Sequence, residues 1–175
     1  MIDLESHILI PPNLAALGVK RQGDGKAADL VTIYRTPYPV LKNYRRFCEV
    51  AGLEPFAGGT YTEQGENWKA GFITSGYRDD LIDGRTQSPH LHAIAIDVVI
   101  GGVHKQLAAA PIAVDYFTRL GLYPFNGFIH LDLATREWMV QHGGRRFWFQ
   151  DAAGKYHSFD QLDKLMKTVQ DHCGI

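Results

Sequence analysis

The sequence predicts an α+β domain with a small central antiparallel sheet flanked by helices. Segments with strand character (70–74, 94–100 and 128–133) gather in the middle of the chain. Segments with helical spacing stand at both ends, and that grouping favours α+β over a doubly wound parallel sheet, in which strand and helix alternate. No Gly-rich phosphate loop of either common type is present.

Residues 1–35 read as an irregular leader, with Pro11-Pro12 and the turn signal Gly23-Asp24-Gly25; residues 36–175 read as one domain. Thr36-Pro37 has the form of an N-cap followed by Pro at the first helical position. Leu41, Tyr44, Cys48 and Ala51 follow at helical spacing, and Gly52 is a natural stop. Cys48 lies on this apolar stripe, so a buried structural thiol is expected. Gly58 to Asn67 reads as a polar, Gly-rich loop. Ala70 to Thr74 reads as a short strand left through Ser75-Gly76-Tyr77-Arg78, and a polar segment from Asp79 to Ser88 then leads to His90. Ile94 to Ile100 is rich in β-branched residues and stops at Gly101-Gly102. A helix is expected from about Pro111 to Gly121, with Ile112, Tyr116, Phe117 and Leu120 facing inward. Phe128 to Leu133 is a third strand, and 137–141 with 146–150 flank Gly143-Gly144 as a hairpin. The last helix opens on a capping box, Ser158 with Gln161, and buries Leu162, Leu165, Met166 and Val169.

Composition narrows the function. The chain has 175 residues, 18 Lys+Arg against 19 Asp+Glu, and is 45% hydrophobic and 21% charged. These are the proportions of an ordinary globular protein, and a chain of this length buries roughly 70% of its unfolded surface without staples. A net charge of −1 argues against a nucleic-acid partner, which selects a basic face. Two Cys exclude a disulfide framework and a four-thiolate zinc site. Eight His point toward imidazole chemistry, in metal binding or proton transfer. The N-terminus is acidic, and Ile8-Leu9-Ile10 ends at Pro11-Pro12, too short for a signal-peptide core. No run approaches the 18 apolar residues of a membrane span. The expectation is a chain made in the cytoplasm; its oligomeric state is not readable.

Two segments carry candidate chemistry. In Phe128-Ile129-His130-Leu131-Asp132, strand alternation puts His130 and Asp132 on one face and Ile129 and Leu131 on the other. In 94–100, Asp97 interrupts a run that should be buried, and a buried carboxylate must be paired, hydrogen-bonded or bound to metal. A salt bridge to an Arg is one reading. The other is a metal site with His130 and either His90 or His92, because two imidazoles and a carboxylate leave an open position on zinc, as catalytic sites require. The residues alone do not choose between His90 and His92. His7 and His172 read as solvated, His104 and His142 as exposed near turns, and Cys173 as free. Trp138, Phe147, Trp148 and Phe149 read mainly as core, with stacking on a sugar or peptide as the alternative.

Ser88-x-His90-x-x-Ala93-x-Ala95-x-Asp97 resembles the S-x-H-x-x-G-x-A-x-D motif of the zinc D-Ala-D-Ala carboxypeptidase family, peptidoglycan peptidases that share their fold with the hedgehog signalling domain. Ser75-Gly76-Tyr77-Arg78 resembles that family's S-G-Y-R signature, and Phe128-x-His130-x-Asp132 resembles its third-ligand motif. Gly121-Leu122-Tyr123-Pro124 and the pair Arg136 and Trp138 are also similar, so the resemblance covers roughly 39–140. It implies zinc held by His90, Asp97 and His130. It implies Arg78 on the substrate carbonyl or carboxylate, where a permanently charged fork of donors suits an oxyanion, and Ser88 on substrate or ligand loop. Zinc would polarise the scissile bond and acidify its water. The substrate implied is a peptidoglycan stem peptide, cut as carboxypeptidase or endopeptidase, after release to the wall since no signal peptide is read.

The sequence departs from the family at Ala93, where the motif has Gly, and at Gly127, where many members carry a base three residues before the last ligand. Asp132 could replace that base or instead fix the His130 tautomer from behind. The missing base also motivates a rival reading, a non-catalytic zinc- or wall-binding module of the same fold. A metal-free binding domain with Asp97 in a salt bridge is a third.

Overall fold

A computed structural model of the chain describes residues 19–20, 27–28, 38–55, 59–62, 65–76, 88–92, 94–142 and 144–175. Val40, Leu41, Tyr44, Phe47 and Cys48 form one apolar stripe of helix α1 (Tyr38–Ala51), and each is at most 5% exposed. The helix stops as the sequence predicts: Gly52 takes φ 67° and the Leu53 N–H donates to the Cys48 carbonyl at 2.8 Å, the left-handed closure that glycine favours. The proposed start at Thr36-Pro37 lies outside the described residues. Cys48 is fully buried, and burial pushes its thiol up to about 12. Iodoacetamide should therefore label Cys48 only after unfolding. Mass spectrometry of native protein that found Cys48 alkylated as fast as the half-buried Cys173 would contradict this.

Short pairs precede the main sheet. Strands β1 (Val19–Lys20) and β2 (Ala27–Ala28) pair antiparallel inside the segment expected to be irregular. Strands β3 (Gly59–Thr62) and β4 (Gly65–Trp68) form a hairpin where a loop was expected; Thr60, Tyr61 and Thr62 are good strand formers despite the flanking Gly.

The main sheet has six strands: β5 (Ile73–Ser75), β6 (Ala95–Val99), β7 (Arg119–Tyr123), β8 (Phe128–Asp132), β9 (Phe147–Gln150) and β10 (Tyr156–Phe159), in the order β10-β9-β7-β8-β6-β5. It is mixed rather than antiparallel, because β9 runs parallel to β7. The cause is helix α3 (Arg136–His142), which carries the chain from β8 around to the other side of β7. The hairpin expected from 137–141 and 146–150 is thereby corrected: the first half is α3, and β9 pairs with β7 and β10 instead. The Thr135 hydroxyl accepts the Trp138 N–H at 3.2 Å, an N-cap that the Gly143-Gly144 turn signal obscured.

Two further elements differ from expectation. Helix α2 spans Val103–Ala113, not 111–121. Gln106 to Ala110 are mostly strong helix formers, and Pro111 sits in the final turn, not at the start. Phe117 and Leu120 are buried as expected, but Leu120 belongs to β7. Helix α4 (Leu162–Cys173) begins at Gln161 with no side-chain cap, and Ser158 lies in β10, so there is no capping box. Its core face is as predicted, with Leu165 and Val169 buried and Leu162 and Met166 packed beside them.

Register gives the sheet two faces. Ile96, Leu131, Leu120 and Phe147 form one transverse row, and Val98, Ile129, Leu122 and Phe149 the next. These join α1, α2 and α4 in the apolar core. The fully buried Gln106 ties α2 to the sheet: its amide donates to the Gly101 and Tyr123 carbonyls at 2.9 and 3.0 Å and accepts the Tyr123 N–H at 3.0 Å. A buried amide so satisfied is not a liability. The opposite face carries the polar row Asp97, His130, Gly121 and Trp148, with Asp132 paired to Arg119 beside it. No described helix is long and apolar enough to cross a membrane.

Candidate metal centre

Alternation in β8 delivers His130 and Asp132 to the polar face, and pairing of Asp97 with His130 across β6 and β8 sets their side chains together. His90 arrives from a different element. Pro89–His92 is a single turn of 3₁₀ helix, opened by the Leu91 N–H on the Ser88 carbonyl at 3.0 Å. At three residues per turn, positions i and i+2 point well apart, whereas in a strand they would share a face. His90 is accordingly buried at 3% exposure and His92 is exposed. The local backbone thus brings His90, and not His92, against His130 and Asp97.

Three atoms converge. His90 Nε2 lies 3.1 Å from His130 Nδ1 and 3.3 Å from Asp97 Oδ1, and His130 Nδ1 lies 2.9 Å from the same oxygen. The outer nitrogens decide what those atoms carry. His90 Nδ1 stands 2.8 Å from the Gly76 carbonyl, which only accepts, so Nδ1–H donates there. His130 Nε2 stands 2.9 Å from Asp132 Oδ2, so Nε2–H donates to the carboxylate. In the neutral imidazoles both lone pairs then aim at each other and at Asp97. Three electron-rich atoms held together need a cation among them. A tetrahedral ion with ligands at about 2.0–2.1 Å spaces them about 3.3 Å apart, close to the triangle seen, so the donor set fits zinc. The electrostatics agree. Burial alone would raise the Asp97 carboxyl, but His90 and His130 outweigh it and hold the group far below the usual carboxylate range. Burial likewise opposes charge on His130, yet Asp132 and Asp97 carry its pKa above the ordinary imidazole value.

Asp132 is fully buried and both its oxygens are engaged, Oδ2 with His130 and Oδ1 with the Ala134 N–H at 3.0 Å. Behind it, Arg119 NH1 lies 3.6 Å from Oδ2, and Arg119 Nε donates to the Arg145 carbonyl at 2.7 Å. The guanidinium sits 5.2 Å from the Trp138 ring and 5.1 Å from Trp148. The Trp148 ring in turn lies 5.2 Å from His130. Arg119 carries no site signal of its own in the sequence, and Trp148 reads there mainly as core. The available signal was their phase: Trp148 alternates against the core residues Phe147 and Phe149, and Arg119 stands two residues from Gly121, which faces His130.

Of the other residues expected at the site, Arg78 lies outside the described residues. Ser88 is half-buried at the start of the His90 turn. Gly127 adopts φ 76° in the turn between β7 and β8, and its carbonyl accepts the Ile100 and Gly101 N–H groups. That conformation favours glycine and disfavours the carboxylate or imidazole otherwise expected there.

No curated protein and no solved structure matches the chain. Residues 68–132 match the family model described as Peptidase M15. The matched stretch contains β5, the His90 turn, β6, β7 and β8, and with them all three converging donors. Through this segment, somewhat over a third of its length, the chain is similar to the Peptidase M15 family.

Proposed function

We propose that the protein is a zinc-dependent peptidase that hydrolyses a peptide bond in peptidoglycan stem peptides, at a position involving a D-amino acid. One observation supports this above all: the lone pairs of His90 Nε2 and His130 Nδ1, together with Asp97 Oδ1, are aimed at one point by hydrogen bonds on their far sides. A zinc ion there supplies Lewis-acid polarisation of a carbonyl and acidifies water near neutral pH. The protein's own part is to hold three donors, keep both imidazoles in the binding tautomer and leave one side for substrate. Arg78 and Ser88 are the residues proposed to meet the substrate, Arg78 at the oxyanion or carboxylate. Mass spectrometry of purified muropeptides, incubated with and without chelator, tests the reading. Loss of a D-Ala or cleavage within the stem, abolished by chelator and restored by zinc, is expected. Intact muropeptides with zinc-loaded protein would reject the enzyme and favour the binding module that Gly127 motivates.

Asp132 is proposed as the residue that positions His130, not as the base. Asp132→Asn should then weaken zinc binding by about 10–100-fold, with the activity remaining at saturating zinc close to that of the parent. Unchanged zinc affinity with a collapsed kcat would assign proton transfer to Asp132 instead.

A further inference from the structure

His157, unremarked in the sequence, belongs to a second group of convergent donors with Asp151 and His172, whose ligand atoms all lie within 4.8 Å of one another. The three come from the turn after β9, from β10 and from the last turn of α4. His157 pairs with Phe149, a core-face residue, so the group lies on the face of the sheet opposite His90, Asp97 and His130.

Each donor is held. Asp151 Oδ1 accepts the Ala153 and Lys155 N–H groups at 3.0 and 2.9 Å, which leaves Oδ2 toward His157 Nε2 at 2.8 Å. His172 Nδ1–H donates to the Thr168 carbonyl at 3.1 Å, which leaves its Nε2 lone pair for a ligand. The two imidazoles lie 5.1 Å apart. Phe149 fixes both, stacked on His157 at 4.7 Å and edge-on to His172 at 5.1 Å. The His157–Asp151 hydrogen bond accounts for those two residues as a hairpin clasp. It does not account for the approach of His172. Side-chain exposures of 24% for His157 and 18% for Asp151 let an ion in and let water complete its coordination. The C-terminal end of α4 adds partial negative charge.

We infer that Asp151, His157 and His172 form a second zinc site, structural rather than catalytic, that fastens the C-terminal helix to the β9–β10 hairpin. Two imidazoles and a carboxylate suit zinc. Zinc on His157 Nε2 would replace the hydrogen bond to Asp151, and the imidazole would take its other tautomer, with the proton on Nδ1 and no net proton released.

Zinc titration of the full chain by calorimetry, with elemental analysis, tests it. The parent should bind two equivalents. His172→Gln and Asp151→Asn should bind one tightly, with the second weakened at least about tenfold, a smaller zinc-dependent rise in Tm and unchanged hydrolysis. His172 is exposed, and an Asn oxygen can still accept from the turn, so both variants should fold, as circular dichroism would verify. One equivalent in the parent, or equal stoichiometry and affinity in the parent and both variants, overturns the inference. His130→Ala separates the centres: it removes the equivalent at the first site and leaves this one.

Discussion

Replacing His130 with Ala is expected to remove one tightly bound zinc per chain, reduce peptide hydrolysis to background and destabilise the fold. The residue does two things at once. Its Nδ1 is one of three converging donors, and its Nε2–H satisfies Asp132. Alanine therefore strips a ligand and leaves two carboxylates, Asp97 and Asp132, at 7% and 0% exposure without the group that joins them. Breaking a buried ionic pair by removing one partner costs about 3–5 kcal/mol, and chemical denaturation should read a loss of that order in metal-free protein. Zinc, which binds the folded state and not the unfolded one, should stabilise the parent further through that centre and give the variant no stabilisation there. His92→Ala is the matched control. That imidazole is exposed, two residues beyond His90, and lies beside Trp138 at 5.8 Å between ring centroids. Its removal should leave zinc stoichiometry intact. Elemental analysis that found the same zinc content in His130→Ala and in the parent would end the metal reading of this centre.

What was legible in the sequence followed from short-range periodicity. Alternation placed His130 and Asp132 opposite Ile129 and Leu131, and a carboxylate inside a β-branched run drew attention to Asp97. Both signals need only the two-residue repeat of a strand. His90 against His92 was not legible from the residues because the deciding geometry, a single 3₁₀ turn between two strands, has no periodic signature. Helix α2 was displaced by reading Pro111 as a first-turn residue when it closes the helix. The parallel β7–β9 pairing, and with it the mixed sheet, depends on contacts far apart in sequence, and the Gly143-Gly144 signal pointed to a local hairpin instead. Trp148 reaches the candidate metal centre only through that non-local pairing, whereas Arg119 faces Asp132 across the β7–β8 hairpin. His157 joins Asp151 and His172 only once the last helix has packed across the hairpin. Candidate donors that sit within a strand, Asp97 and His130, announce themselves; their supports, drawn from neighbouring strands, do not.

Gly121 shows how much that hidden shell matters, and Gly121→Ala is the second change expected to have a large effect. Gly121 stands directly between His130 on β8 and Trp148 on β9 in the transverse row of the polar face. A β-carbon there would overlap the Trp148 indole at Cε2, Cζ2 and Nε1. The requirement is for space, since no left-handed backbone is involved at this position. The indole has little room to retreat: it is 5% exposed, its Nε1–H donates to the Tyr123 hydroxyl at 3.3 Å, and His130 and Arg119 flank it. Gly→Ala gains about 0.4–1 kcal/mol from a less free unfolded chain. Overpacking of about 1–3 kcal/mol outweighs that, and the collision with a fixed ring argues for the upper end. Displacement of Trp148 should also disturb the Arg119–Asp132–His130 chain and weaken zinc binding. Pairing Gly121→Ala with Trp148→Phe separates this from a general strand effect, because Phe lacks the indole Nε1 and fused ring that the new methyl would strike. The double variant should lose less stability than the two single losses added together. Strict additivity, or a Gly121→Ala protein as stable as the parent, would show that the indole does not occupy this space and that the close contact between Trp148 and the metal centre is not what holds His130 in place.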